Sequence, residues 1–177
     1  MKHILGNVYH WIYCLPQKEA AALPLLFTAV FLWFRHKLEC YRFWRWTVAS
    51  LLLVWGAVIL AQTVFIRPVS ASEPSLIPFW CYITVLRGGE QELLRSAFMN
   101  TLMFYPGGLL ALSLWGRKYL LPLLGCFAML SVGIEVLQFL LNVGMAETDD
   151  VIHNVLGAAF GLLAARQYER YAVKSQT

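Results

Sequence analysis

Residues 131–163 read SVGIEVLQFLLNVGMAETDDVIHNVLGAAFGLL. An apolar segment acquires Glu135, Gln138 and Asn142, turns through Glu147-Thr148-Asp149-Asp150, and re-enters an apolar segment that opens on His153-Asn154. Glu135, Gln138 and Asn142 are spaced three and four apart, which gathers them on one face of a helix. Asp150, Asn154, Gly157 and Gly161 share a face by the same rule, and Gly157-x-x-x-Gly161 is the small-residue spacing at which helices approach closely in lipid. The pattern predicts two packed transmembrane helices whose polar ends face each other. A carboxylate in a bilayer costs several kcal/mol unless it is paired, hydrated or protonated, so Glu135 marks a functional site by default.

The rest of the chain has the same character. Of its 177 residues 59% are hydrophobic and 14% charged, with a mean hydropathy of +0.60; soluble domains carry about 25% charged residues. This excludes an ordinary soluble domain and predicts a single membrane domain over residues 1–177, an all-α polytopic bundle. Trp11, Tyr13, Trp33, Trp44, Trp46, Trp80 and Trp115 flank the apolar runs as an interfacial belt would. The basic residues gather in short segments between those runs, so a pI near 9.0 reads as topology signal and anionic-lipid contact rather than nucleic-acid binding. Cys14, Cys40, Cys81 and Cys126 form no C-x-x-C pair, which supports neither a zinc ribbon nor a redox motif; a Cys14–Cys81 disulfide outside the membrane stays open. No cleavable signal is legible at the N-terminus.

Taken in order, Met1–Gln17 is apolar but interrupted by His3, Asn7 and His10, and is expected to form an interfacial helix. Five spans follow: Lys18 to Phe34, Thr47 to Ile66, Ala97 to Trp115, Tyr119 to Asn142 and Val151 to Tyr168. Residues 67–96 form the one long connection, between the second and third spans, where Pro74, Pro78, Gly88 and Gly89 break helices and Leu76-Ile77-Pro78-Phe79-Trp80 is suited to a membrane surface. A loop of that length suggests a lid or a binding element. Pro106-Gly107-Gly108 should kink the third span, and reads as a packing device or as a hinge. Five spans put nine basic residues (Arg35, Lys37, Arg42, Arg45, Arg117, Lys118, Arg166, Arg170, Lys174) on one side and five (Lys2, Lys18, Arg67, Arg87, Arg95) on the other. The positive-inside rule then makes the C-terminus cytoplasmic and puts the long loop and the acidic turn outside.

Those residues resemble the VanZ-like family of bacterial membrane proteins over about residues 62–165. Asn100, Phe104, Pro106 and Gly108 stand at the family's N-x-x-x-F-x-P-x-G spacing, and Ser75-Leu76-Ile77-Pro78-Phe79 at its N-L-I-P-F, with serine for asparagine. Glu135 and Gln138 match E-x-x-Q, and Glu147, Asp149, Asp150, Asn154 and Gly157 match E-x-D-D-x-x-x-N-x-x-G. The resemblance implies location in the bacterial cytoplasmic membrane, contact with membrane lipids, and a part in lipoglycopeptide (teicoplanin) resistance, with a lipoglycopeptide or a lipid-linked cell-wall precursor as partner. Many members carry an arginine just before the acidic turn. Asn142-Val143-Gly144-Met145 has none, which leaves Arg95, Arg87 or Arg67 to supply the charge.

The expected ligand-binding set is therefore Asn100, Glu135, Gln138, Glu147, Asp149, Asp150 and Asn154, with Pro106, Gly108, Gly157 and Gly161 as structural residues. Each has a plainer alternative: Asp149 and Asp150 as caps of the last helix, Glu135 and Gln138 as interhelical glue. An enzyme acting on a lipid headgroup would use Glu135 or Asp150 as base with His153 as partner. A small lipid or solute transporter would gate at the kink, although no internal repeat supports it. Neither a cofactor nor a metal is expected, since E-x-D-D-x-x-H is not an established metal spacing.

Overall fold

The computed structural model describes residues 22–37, 41–65, 67, 74–88 and 92–174. Every regular element among them is helical: α1 (Ala22–Lys37), α2 (Tyr41–Leu60) running into a π-helical turn at Ala61–Phe65, α3 (Trp80–Leu86), α4 (Glu92–Trp115), α5 (Leu120–Leu141) entered through a 3₁₀ turn at Arg117–Tyr119, and α6 (Thr148–Lys174). The expected helix over residues 1–17, with Trp11, Tyr13 and Cys14, lies outside the described residues, as does Cys40.

Three described helices are long and apolar enough to cross a bilayer, over Arg42–Phe65, Glu92–Trp115 and Arg117–Leu141. These correspond to the second, third and fourth expected spans. The first expected span falls on α1, a 16-residue helix that starts later and runs past Phe34 to Lys37. The fifth falls in α6, whose sequence carries His153, Asn154 and Arg166 through its apolar stretch. Among the three apolar helices α4 is central, with 56% of its span buried against 28% for Arg42–Phe65 and 22% for Arg117–Leu141. The outer pair turn large apolar side chains such as Leu53 and Leu121 away from the bundle, as a hydrocarbon solvent permits.

The tightest pair is α4 and α6. Gly157 lies against the carbonyl of Thr101, Gly161 against that of Tyr105, and Gly108 against that of Ala158, so that a Cβ at any of the three would strike backbone of the other helix. All three glycines thus sit where two helices meet backbone to backbone. Pro106 has no N–H to give the carbonyl of Leu102. The next carbonyl, Met103, accepts the indole N–H of Trp55 at 2.8 Å, and Trp55 stands edge-on to both Phe104 and Phe127, 5.7 Å between centroids in each case.

On the far side, α1 joins through Thr28 Oγ1 and the Tyr105 hydroxyl, 2.7 Å apart, and through Phe31, whose ring lies 4.9 Å from that of Trp44. Trp44 is therefore core, 6% exposed, and not an interface anchor; Trp33, Trp46, Trp80 and Trp115 do face outward. Heptad position explains the difference, since Trp44 shares a helix face with Val48, which is fully buried. Sequence also misses α3, placed inside the long loop between Pro78 and Gly88.

Candidate functional site

The loop before α3 is pinned to the acidic turn by backbone. Ser75 N–H donates to the carbonyl of Ala146 at 2.9 Å, and Thr148 N–H donates to that of Ser75 at 3.0 Å. This brings Asp149 to the start of α3, where its carboxylate accepts the N–H groups of Phe79 and Cys81, the latter at 2.8 Å. The first N–H groups of a helix have no partner within it. Asp149 thus caps a helix other than its own, and the capping role foreseen for α6 is corrected in that respect. His153, one turn on, sets Nδ1 2.6 Å from the carbonyl of Asp149 and Nε2 2.9 Å from the hydroxyl of Tyr82 on α3. A carbonyl only accepts, so Nδ1 carries a hydrogen.

Burial and the neighbouring Asp149 push the Cys81 thiol up to about 12. Replacing Asp149 with alanine should release the start of α3, at a cost of about 1 kcal/mol typical of a lost cap. In a chain with Cys14, Cys40 and Cys126 changed to serine, maleimide labelling of Cys81 is then expected to accelerate roughly tenfold, the equivalent of about 1.4 kcal/mol. An unchanged labelling rate would show that the carboxylate does not hold the helix.

Asp150 turns the other way, into the α4–α6 contact. Asn100 Nδ2 donates to its Oδ1 at 2.6 Å, and the Arg67 guanidinium lies 3.7 Å from Oδ2. Arg67 comes from the end of α2 and lies over Gly144, whose Cβ, were there one, would sit 2.8 Å from Arg67 Cδ. Gly144 has φ +67° and is the residue that both the turn and the arginine require. Of the three candidate cations, Arg67 is the one at the acidic turn; Arg95 pairs instead with Glu92 at 3.9 Å.

Glu135 on α5 accepts the Glu147 N–H through Oε2 at 2.9 Å. One turn above it, Gln138 Nε2 donates to the carbonyl of Thr63 at 2.8 Å, in the π-helical turn of α2. One turn below, Ser131 Oγ accepts from Asn154 Nδ2 at 2.9 Å. Asn142, expected on the same stripe, is exposed. It adopts the left-handed conformation (φ 52°) that ends α5, with backbone N–H bonds from Asn142 and Val143 to Phe139 and Gln138. Glu135, Gln138, Asn100, Asp149, Asp150, His153 and Asn154 are all at least nine-tenths buried, while Glu147 is partly exposed.

Acceptors outnumber donors here. Among the described residues the side-chain oxygens of Gln62, Gln138 and Asn154 find no hydrogen-bond partner, although they are buried. Burial first, and then the charges of Asp150 and Asp149, push Glu147 up to about 7, with Arg67 offsetting part of this. A carboxyl whose folded pKa is raised binds its proton more tightly folded than unfolded, so stability falls as pH rises from the ordinary carboxylate value to about 7. Thermal melting in detergent should therefore drop between pH 5 and about pH 7.5, and Glu147→Gln should flatten that slope; an unaltered slope would contradict it.

His153 has both ring nitrogens engaged, by neither Glu135 nor Asp150. Among the described residues no three His, Cys, Asp or Glu side chains are arranged to hold a metal ion. Cys81 and Cys126 are free thiols. Sequence reasoning names Arg67 among the candidate cations but gives no role to Gln62, Thr63, Ser131 or Tyr82. Ser131 was within reach, because it precedes Glu135 by four and so continues the stripe. Nothing in the local sequence brings Tyr82 to His153.

A family model described as VanZ/LLP1 matches residues 25–169, which adds most of α1 and all of α2 to the region that carries the motifs. No curated protein and no solved structure is similar enough to the chain to count as a match.

Proposed function

The chain belongs to the VanZ/LLP1 family, and from that premise we propose that it is a bacterial cell-envelope membrane protein binding a polar or lipid-linked ligand in an outward-facing cavity, and that it contributes to lipoglycopeptide (teicoplanin) resistance. In this reading α1, α2, α4, α5 and α6 cross the membrane. The C-terminus is cytoplasmic, and the turn at 147–150 lies at the outer boundary with α3 over it. Asn100, Glu135, Gln138, Glu147, Asp149, Asp150 and Asn154 form the ligand-binding wall.

The observation that carries this reading is the surplus of buried acceptors. Among the described residues, four carboxyl groups share one close guanidinium, that of Arg67, and the amide oxygens of Gln62, Gln138 and Asn154 are buried without a hydrogen-bond partner. Buried polar groups are normally satisfied, and those that are not call for an explanation. A ligand rich in N–H or O–H donors supplies one, and interhelical glue alone does not.

Mass spectrometry of the protein purified in mild detergent is expected to find a polar lipid or precursor retained by the natural chain. Glu135→Gln, Asp150→Asn and Asn154→Ala should each lose it. In a teicoplanin-sensitive host the same three variants should lose protection while reaching the membrane at normal levels. Protection surviving all three would remove the cavity from the function.

A further inference from the structure

Beside the buried cluster, a groove of about 460 Å³ opens on the outer surface of α5, with Leu76, Val132, Val136, Phe139 and Val151 among its walls and Glu135 and Glu147 also lining it. Its volume falls within the range of small-molecule sites, about 300 to 1,000 Å³. Three of the wall residues, Val132, Val136 and Phe139, follow one another at helical spacing on α5. All three are about half exposed, on the face that a hydrocarbon solvent would bathe.

The two acids that line the groove differ in kind from the rest of the cluster. Asp149 is satisfied by two N–H groups and Asp150 by Arg67 and Asn100. Glu135 receives one N–H, on Oε2, and its other oxygen takes none from a described residue; the Glu147 carboxylate takes none at all from a described residue. Glu135 is 8% exposed, so its carboxyl is held away from water beside an apolar wall. The Arg67 guanidinium close by is engaged by Asp150, so two acids with unfilled acceptor sites lining an apolar groove are complementary to a molecule with a cationic donor at one end and a hydrocarbon chain at the other.

We propose that this groove binds a membrane lipid with a primary-ammonium headgroup, its ammonium between Glu135 and Glu147 and one acyl chain along Val132, Val136 and Phe139. This assignment rests on the ligand-binding reading above and names the chemistry of the ligand. A primary ammonium has three N–H donors to share between the two acids. A quaternary ammonium carries the same charge with no donor, and an anionic headgroup would be repelled. Hydrogen bonds to charged groups are worth about 1.5 to 3 kcal/mol, or roughly ten- to a hundredfold in affinity.

Native mass spectrometry of the full chain, delipidated in detergent, supplies the test. It is titrated with phosphatidylethanolamine, phosphatidylcholine and phosphatidylglycerol of identical acyl chains, and with dodecylamine. Phosphatidylethanolamine is expected to bind at least about tenfold more tightly than the other two phospholipids. Glu147→Gln, at a partly exposed position, should shrink that preference, and Glu135→Gln with Glu147→Gln should abolish it. Val136→Trp, which fills the groove from its lipid-facing side, should weaken binding with the acids intact. Equal binding of the three phospholipids, a preference that survives the double substitution, or binding of dodecylamine without phosphatidylethanolamine would each overturn the assignment. A chain with no such preference that still co-purifies with a ligand lost on Asp150→Asn defeats the ammonium assignment alone. A chain with which nothing co-purifies defeats the reading beneath it.

Discussion

Gly161→Leu is expected to leave no folded protein to purify, whereas Gly133→Leu should fold as well as the natural chain or slightly better. Both glycines sit inside apolar helices, and the sequence alone does not separate them. A Cβ at Gly161 would run into the carbonyl of Tyr105 and the backbone N–H of Leu109, while one at Gly133 would meet nothing within 4 Å. Overpacking a core typically costs about 1 to 3 kcal/mol when neighbouring side chains can give way. Here the obstacle is main chain, so α4 and α6 must move apart and surrender the contact that also seats Gly157 and Gly108. Set against a total stability of about 5 to 15 kcal/mol, that loss is decisive. At Gly133 the better helix propensity of leucine is worth somewhat under 1 kcal/mol. Yield of monodisperse protein and thermal melting in detergent separate the two, and a well-folded Gly161→Leu would refute the close approach of the helices.

Arg67→Ala is expected to cost about 3 kcal/mol, the range for removing one partner of a buried pair. Asp150→Asn should cost much less. The asymmetry comes from the surroundings: Arg67 is the close cation of a site that also holds Glu135, Glu147 and Asp149, so its loss leaves several acids facing one another. Asp150→Asn removes one of those acids and retains an oxygen for Asn100. Introducing Asp150→Asn into Arg67→Ala should therefore restore part of the lost stability, a coupling that a double-mutant cycle of melting temperatures measures. Strict additivity would show that the two residues do not interact.

The two helices that carry the site were legible from their own residues. The three- and four-residue spacings put Glu135 with Gln138, and Asp150 with Asn154, on single faces, and the glycine pair supplied the contact surface. Asn142 shows the limit of that rule: the spacing extends to it, but the helix ends there, and a residue able to adopt positive φ serves as the terminator. Arg67 shows another. The family's turn arginine has no local counterpart in residues 142–145, and the guanidinium arrives from a residue some 80 positions upstream in the chain, through a tertiary contact that no periodicity encodes. The capping of α3 by Asp149 was hidden for the same reason, because the helix it serves and the loop that delivers it were both read as irregular chain.

The clamp on α4 bears on how anything gets in. Trp55 bonds to the main chain at Met103 on one flank and α6 packs on Gly108 at the other, so the segment around Pro106 is braced and not a pivot. A rod braced on both flanks cannot swing to admit a visitor. On the proposed ligand-binding reading, entry falls to the lighter parts, the strap around Ser75 and the outer side of α5, and the doorway is lateral, with the central post standing still.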